Sequence, residues 1–196
     1  LKKIMELIKY STLVEEPWKN GLGTTRQIVI WPLDATLENF EWRVSAAAII
    51  FPGHFAHHPG VSRSLSVLSG KSAELKLGDE QKTLAYQGPV VKFDGGEHAE
   101  ILSADGPVLD YNVMSRDSAV EHELKCVTLG KEEVYSRKGD YTLVTVFSGC
   151  RLVLGGDAVR LAEYDSVLIK ERDDVDFIVE SEEPTTCMLV TEVWKK

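Results

Sequence analysis

The chain has 196 residues, 43% of them hydrophobic and 27% charged, with a formal net charge of −9. A core of useful size can be buried without disulfide or metal staples, and the acidic balance, unopposed by any Lys/Arg-rich run, argues against a nucleic-acid partner. Cys126, Cys150 and Cys187 are odd in number and form no CxxC pair, which points to a reducing cytoplasm and away from a disulfide framework.

The first nine residues mix apolar side chains with charge, so neither a signal peptide nor a membrane span is expected there. Next comes Pro17-Trp18-Lys19-Asn20-Gly21-Leu22-Gly23-Thr24-Thr25-Arg26, which is poor core material: polar side chains on a backbone made pliable by two glycines. Trp18 is costly to leave in water, so this run is expected to lie against the body of the protein as a ligand-facing turn, with the apolar strand Ile28–Trp31 behind it. His54, His57 and His58 fall between Pro52-Gly53 and Pro59-Gly60, the setting of a surface loop. Ser64–Val67, Glu74–Leu77 and Asp174–Phe177 alternate polar with apolar, the period of half-buried strands. Gly/Pro turn signals recur at close intervals and no long 3.6-residue repeat occurs, so the fold class expected is all-β, a sandwich or barrel.

The chain also echoes itself. Ser64–Gly70 is answered by Thr142–Gly149, the short strand Ala73–Leu77 by Arg151–Leu154, and Leu109–Met114 by Cys187–Trp194, at a spacing of roughly 77 to 80 residues. Two stacked β-barrels follow: a first of residues 1–117 that includes the Trp18 segment, and a second of residues 118–196. The second has no histidine after His122 and reads as structural, with Glu171–Asp174 and Glu180–Glu183 as solvated loops.

Strand, glycine turn, hairpin and returning strand, present twice, look like the cupin pattern. More closely, Pro17–Gly21, Trp42–Ala46, Phe51-Pro52-Gly53, Arg63–Gly70 and Gly106–Met114 with Arg116 resemble the HutD/Ves family in five ordered blocks. The resemblance implies a bicupin of two RmlC-like jelly rolls, linked in bacteria to histidine utilisation. There it would limit pathway activity by binding a small carboxylated intermediate such as urocanate or formylglutamate, and the Ves branch would connect with stress responses. This sequence departs from the pattern at Leu22, where a glycine is usual, and at Ser62, where an Asp is usual.

Cupin enzymes hold a metal with two histidines and a glutamate. Counting back from Gly70 places Arg63 at the glutamate, Ala56 at the first histidine and His58 at the second, so neither a metal nor another cofactor is expected. An inward Arg63 would need a carboxylate opposite, either Asp110, Asp94 or Glu41, or else an anionic ligand. Around it, Lys19 would add positive charge, Asn20 and Asn112 would orient polar atoms, Trp18 or Tyr111 would form an apolar wall, and His58 would line the mouth. Arg26, Arg43 and Arg116 are further candidates. The expected function is a non-enzymatic, cytoplasmic binder of a small acid. The alternatives are a metal-dependent cupin enzyme, acid-base chemistry by Lys19 with His58, or an interaction module without a small ligand. Homodimerisation through sheet edges is considered by analogy.

Overall fold

The computed structural model describes residues 4–170, 176–183 and 185–196. Its strands are, in chain order, β1 (Met5–Ile8), β2 (Glu15–Pro17), β3 (Gly23–Trp31), β4 (Trp42–Ile49), β5 (Gly53–His54), β6 (Val61–Ser69), β7 (Ser72–Leu77), β8 (Glu80–Ala85), β9 (Val91–Asp94), β10 (Ala99–Ala104) and β11 (Val108–Arg116). There follow β12 (Val120–Leu129), β13 (Glu132–Tyr135), β14 (Tyr141–Val146), β15 (Cys150–Leu154), β16 (Asp157–Leu161), β17 (Ser166–Ile169), β18 (Phe177–Ser181) and β19 (Thr186–Lys195). Among the described residues the one helical turn is a 3-10 segment at Tyr10–Thr12, and no helix is long and apolar enough to cross a membrane.

Two compact units emerge, one of residues 13–121 with Lys196, the other of residues 1–12 and 122–195. In the first, sheet β2-β3-β4-β11-β6-β9 packs on sheet β5-β10-β7-β8; in the second, β1-β17-β14-β19-β12 packs on β13-β18-β15-β16. Stripped of β1, β2 and β3, the two orders coincide strand for strand, β4–β11 matching β12–β19, each an eight-stranded jelly roll. Val61 and Tyr141, Ser72 and Cys150, and Val108 and Thr186 open matching strands, a spacing of 78 to 80 residues. The expected repeat is therefore a repeat of topology. The ladders remain separate sheets and do not close into continuous barrels, so side-chain packing between the sheets holds each unit together.

Period-two patterning builds those interiors. On β7, Ala73, Leu75 and Leu77 turn inward while Ser72, Glu74 and Lys76 stay at the surface. They join Leu65, Val67, Leu84, Phe93, Ile101 and Val108 in the first core. Val144, Val146, Leu152, Phe177, Val179, Met188 and Val190 fill the second.

Three expectations change. The first unit does not start at residue 1: Met5–Ile8 pairs with Ile169–Ser166 of β17, because an apolar strand satisfies its backbone best on an open sheet edge. The unit boundary falls after Glu121 and not after residue 117: the turn at residues 117–119 and the first two residues of β12 stay with the first unit. Glu171–Asp174, with Val175 of the expected strand, lies outside the described residues, whereas Glu180 belongs to β18 and its carboxylate sits 2.7 Å from Arg151 Nη1.

Gly70 makes the β6–β7 turn at φ +93°, and a Cβ there would lie 2.6 Å from the carbonyl oxygen of Pro107. Gly70→Ala is expected to cost about 1–3 kcal/mol, read as a lower urea midpoint with an unchanged slope. An unaltered midpoint would show that the turn yields.

Candidate functional site

In the first unit the three central strands β4, β11 and β6 send alternate side chains to the inner face. Arg43, Ser45 and Ala47 come from β4, Asp110, Asn112 and Met114 from β11, and Arg63 from β6; all line a cavity of about 440 Å³. That size suits a small organic ligand. The register sets Met114 opposite both Arg43 and Arg63, so the two guanidinium-bearing strands flank β11 on either side, two strand spacings or about 10 Å apart.

Arg63 is 3% exposed. Its guanidinium carbon lies 4.8 Å from the Phe55 ring centre and 5.4 Å from that of Phe93, and Nη1 donates to the Ala56 carbonyl at 3.2 Å. Nε has no hydrogen-bond partner among the described residues. Burial lowers its pKa to about 10, opposed by the charge of Asp110 and reinforced by Arg43. Even so it is a cation at neutral pH, held without a hydrogen-bonded carboxylate. Of the partners expected for it, Asp94 instead accepts from Gly96 N at 2.7 Å.

Asp110 is 1% exposed and accepts from Ala47 N at 3.0 Å through Oδ1, while Oδ2 has no partner among the described residues. Burial pushes its pKa up to about 7, against the pull of the Ala47 hydrogen bond and the two arginines. Asn112, 8% exposed, likewise leaves Oδ1 without a partner. Arg43 donates to Gln27 Oε1 at 2.9 Å and to Ser45 Oγ at 3.2 Å, and burial lowers its pKa. His58, half-buried, has a pKa lowered by burial and then by Arg63 and Arg43. The lining includes the imidazoles of His54 and His58 and the carboxylates of Glu16 and Asp110, but among the described residues no three of these four converge on a common point, and the guanidiniums of Arg43 and Arg63 would repel a divalent ion, so the metal of cupin enzymes has no fitting set of donors in this cavity.

The Trp18 run forms the hairpin loop between β2 and β3. Trp18 N donates to Gly23 O at 2.9 Å, Gly21 N to Trp18 O at 3.0 Å, and Asn20 Oδ1 accepts from Leu22 N at 3.0 Å. The indole donates to Thr25 Oγ1 at 2.7 Å, which aims the ring at the cavity. Gly23 is required here by contact: a Cβ would meet Ala48 O at 2.4 Å and the Trp18 ring at 3.1 Å. The loop thus brings Trp18, Lys19 and Asn20 to the mouth, with Lys19 exposed.

Trp18, Lys19, Asn20, His58, Arg63 and Asn112 therefore share one cavity. Tyr111 does not. It alternates with Asp110 and Asn112 on β11, points to the opposite face of the sheet and is fully buried there, so the apolar wall is made by Trp18 and Phe55. Arg26 is also turned away, being odd to Thr25 and Gln27 on β3, and it pairs with Glu15 at 2.7 Å. Arg116 caps carbonyls of Phe40 and Glu38 at 2.9 and 3.0 Å. Asp110 and Arg43 carry more of the site than their sequence reading allowed. Their signal was present in the alternation of Leu109-Asp110-Tyr111-Asn112 and Trp42-Arg43-Val44-Ser45.

Among the described residues the second unit does not repeat this set of side chains. By strand register Asp110 and Asn112 are replaced by Met188 and Val190, and the row of Arg63 and Met114 by Thr142 and Glu192. Glu192 accepts from Thr142 Oγ1 at 2.7 Å and Gly139 N at 2.9 Å, and Arg137 Nε donates to Thr142 Oγ1 at 2.9 Å.

The HutD family model matches residues 10–188. A protein Ves of Escherichia fergusonii is 29% identical over 133 residues, 67% of either chain, and a 21.2 kDa protein of the hutC 3′ region of Pseudomonas putida is 24% identical over 87% of this chain and 90% of its own. HutD from Pseudomonas fluorescens SBW25, solved in a formate condition, superposes with a TM-score of 0.82 at 22% identity, covering 98% of this chain and 99% of that one. A cupin 2 conserved barrel domain protein from Leptotrichia buccalis shares the fold at TM-score 0.63 and 13% identity, with 97% of both chains covered.

Asp110 makes stability depend on pH. Between about pH 4 and 7 the unfolded chain gives up this proton while the folded chain keeps it, so the contribution of Asp110 falls as pH rises and levels off above 7. His58, with its folded pKa lowered, contributes the opposite slope below its ordinary value. The difference between the wild-type and Asp110→Asn stability curves isolates Asp110. It is expected to move in favour of Asn by a few kcal/mol, about 1.4 per pKa unit, across that window in urea titrations. Parallel curves would refute the assignment.

Proposed function

The chain belongs to the HutD family, and from that premise we propose that the cavity of residues 13–121 is a receptor for a small carboxylate, acting by binding and not by catalysis. The observation that carries this reading is Arg63: a guanidinium 3% exposed, clamped by Phe55 and Phe93, facing the cavity with an idle Nε and Arg43 across from it. A carboxylate supplies two oxygens to such a fork, each charge-assisted hydrogen bond contributing about 1.5–3 kcal/mol. The acceptors left over on Asp110 and Asn112 suit N–H or O–H groups elsewhere on the same acid.

The biological reading is a cytoplasmic sensor that limits histidine utilisation by binding an intermediate such as urocanate or formylglutamate. The relative from the hutC 3′ region supports that placement, and formate, in whose presence a family member was solved, is the smallest carboxylate. Asp110 makes the receptor pH-sensitive: neutral it leaves the arginines free for an anion, ionised it competes with one.

Urocanate, formylglutamate and formate are to be compared by calorimetry and thermal shift. A true ligand at about a hundred times its Kd adds about 2.7 kcal/mol to stability, and affinity falls as pH rises through about 7. Arg63→Gln weakens binding at least about tenfold, and Asp110→Asn flattens the pH dependence. No response to any carboxylate, or an unchanged response in Arg63→Gln, would overturn the reading.

A further inference from the structure

On the outer face of the sheet β5-β10-β7-β8 a second group of side chains converges. The register places Glu100 of β10 directly across from His54 of β5, and His98 stands two residues before Glu100 on the same face. Ala99 and Ile101 are buried in the core, which forces their neighbours outward. The backbone is pinned on both sides: Gly78 N donates to His98 O at 3.0 Å and Phe55 N to Ala99 O at 2.9 Å.

His54 Nε2 lies 3.8 Å from one Glu100 oxygen and His98 Nε2 lies 3.8 Å from the other, and the two rings sit 4.9 Å apart centre to centre. Those separations are too long for hydrogen bonds, so the three groups approach without satisfying one another. One donor atom from each lies within 4.8 Å of the others. Ligands at 2.0–2.1 Å on a tetrahedral ion are about 3.4 Å apart, a distance that small side-chain rotations would close.

We propose that His54, His98 and Glu100 form a binding site for a divalent first-row transition metal, with zinc as its best fit, adjoining the carboxylate cavity at His54. Two imidazoles and one carboxylate are the donor set of a zinc site that keeps a fourth position open, and imidazole donors disfavour magnesium and calcium. His54 and Glu100 face each other across paired strands and His98 directly precedes β10, so the site is assembled by the fold itself. His54 also lines the cavity of Arg63, so the two sites share that residue, whereas His98 and Glu100 belong to the metal site alone.

The test uses tag-free protein titrated with Zn²⁺ by calorimetry and with Co²⁺ by visible absorption. One equivalent is expected to bind, with tetrahedral cobalt bands. His98→Gln and Glu100→Gln, both clear of the cavity lining, should weaken Zn²⁺ binding by well over the roughly tenfold that losing even an indirect support of a ligand costs. His57→Gln, whose ring bonds Gly96 O at 2.6 Å, should leave it unchanged. Circular dichroism checks that each variant is folded. No saturable binding in the wild type, or equal binding in His98→Gln and Glu100→Gln, overturns the site. Neither result bears on Arg63 and the carboxylate.

Discussion

A guanidinium buried between two phenylalanine rings, with one carbonyl for a hydrogen-bond partner, is the constraint around which the first unit is organised. Stripping an arginine of water without a paired carboxylate is costly. The aromatic faces recover part of that cost, about 2 kcal/mol for a desolvated contact, and the Asp110 charge recovers more when it is ionised. Asp110 is itself too deeply buried to ionise freely, so neither group fully neutralises the other.

The second unit shows the same framework with different side chains on its inner face. Its strands run in the same order, yet Met188 and Val190 occupy the inner positions of Asp110 and Asn112. Its one buried carboxylate of that row, Glu192, takes hydrogen bonds from Thr142 and from the backbone at Lys138 and Gly139. One copy spends its polar groups on itself and the other leaves them facing a cavity. A jelly roll therefore carries no function by its topology; the difference lies in a handful of side chains on three strands.

How much of this was legible in the sequence depends on the range of the interaction. Local periodicity exposes the strands, and the echo at about 78 residues exposes the repeat, because both are properties of neighbouring positions. Arg63 was legible through its distance from Gly70. The misplacement of Tyr111 and Arg26 reflects composition given more weight than alternation: aromatic and cationic residues next to pocket residues on a strand face the other way. The meeting of His54 with His98 and Glu100 depends on the pairing of β5 with β10, a register that no local pattern encodes. The same holds for β1, whose partner strand lies some 160 positions away in the chain.

That last pairing orders events in time. Residues 13–121 contain every strand of their own unit, so it can assemble as soon as they have left the ribosome, in keeping with the tendency of domains to form as units during synthesis. The other unit needs β1, which precedes residues 13–121 in the chain, and β17 and β19, which follow them. β1 must wait until β17, some 160 residues later, has been synthesised before it can pair, and residues 13–121 with the cavity of Arg63 have been made by then.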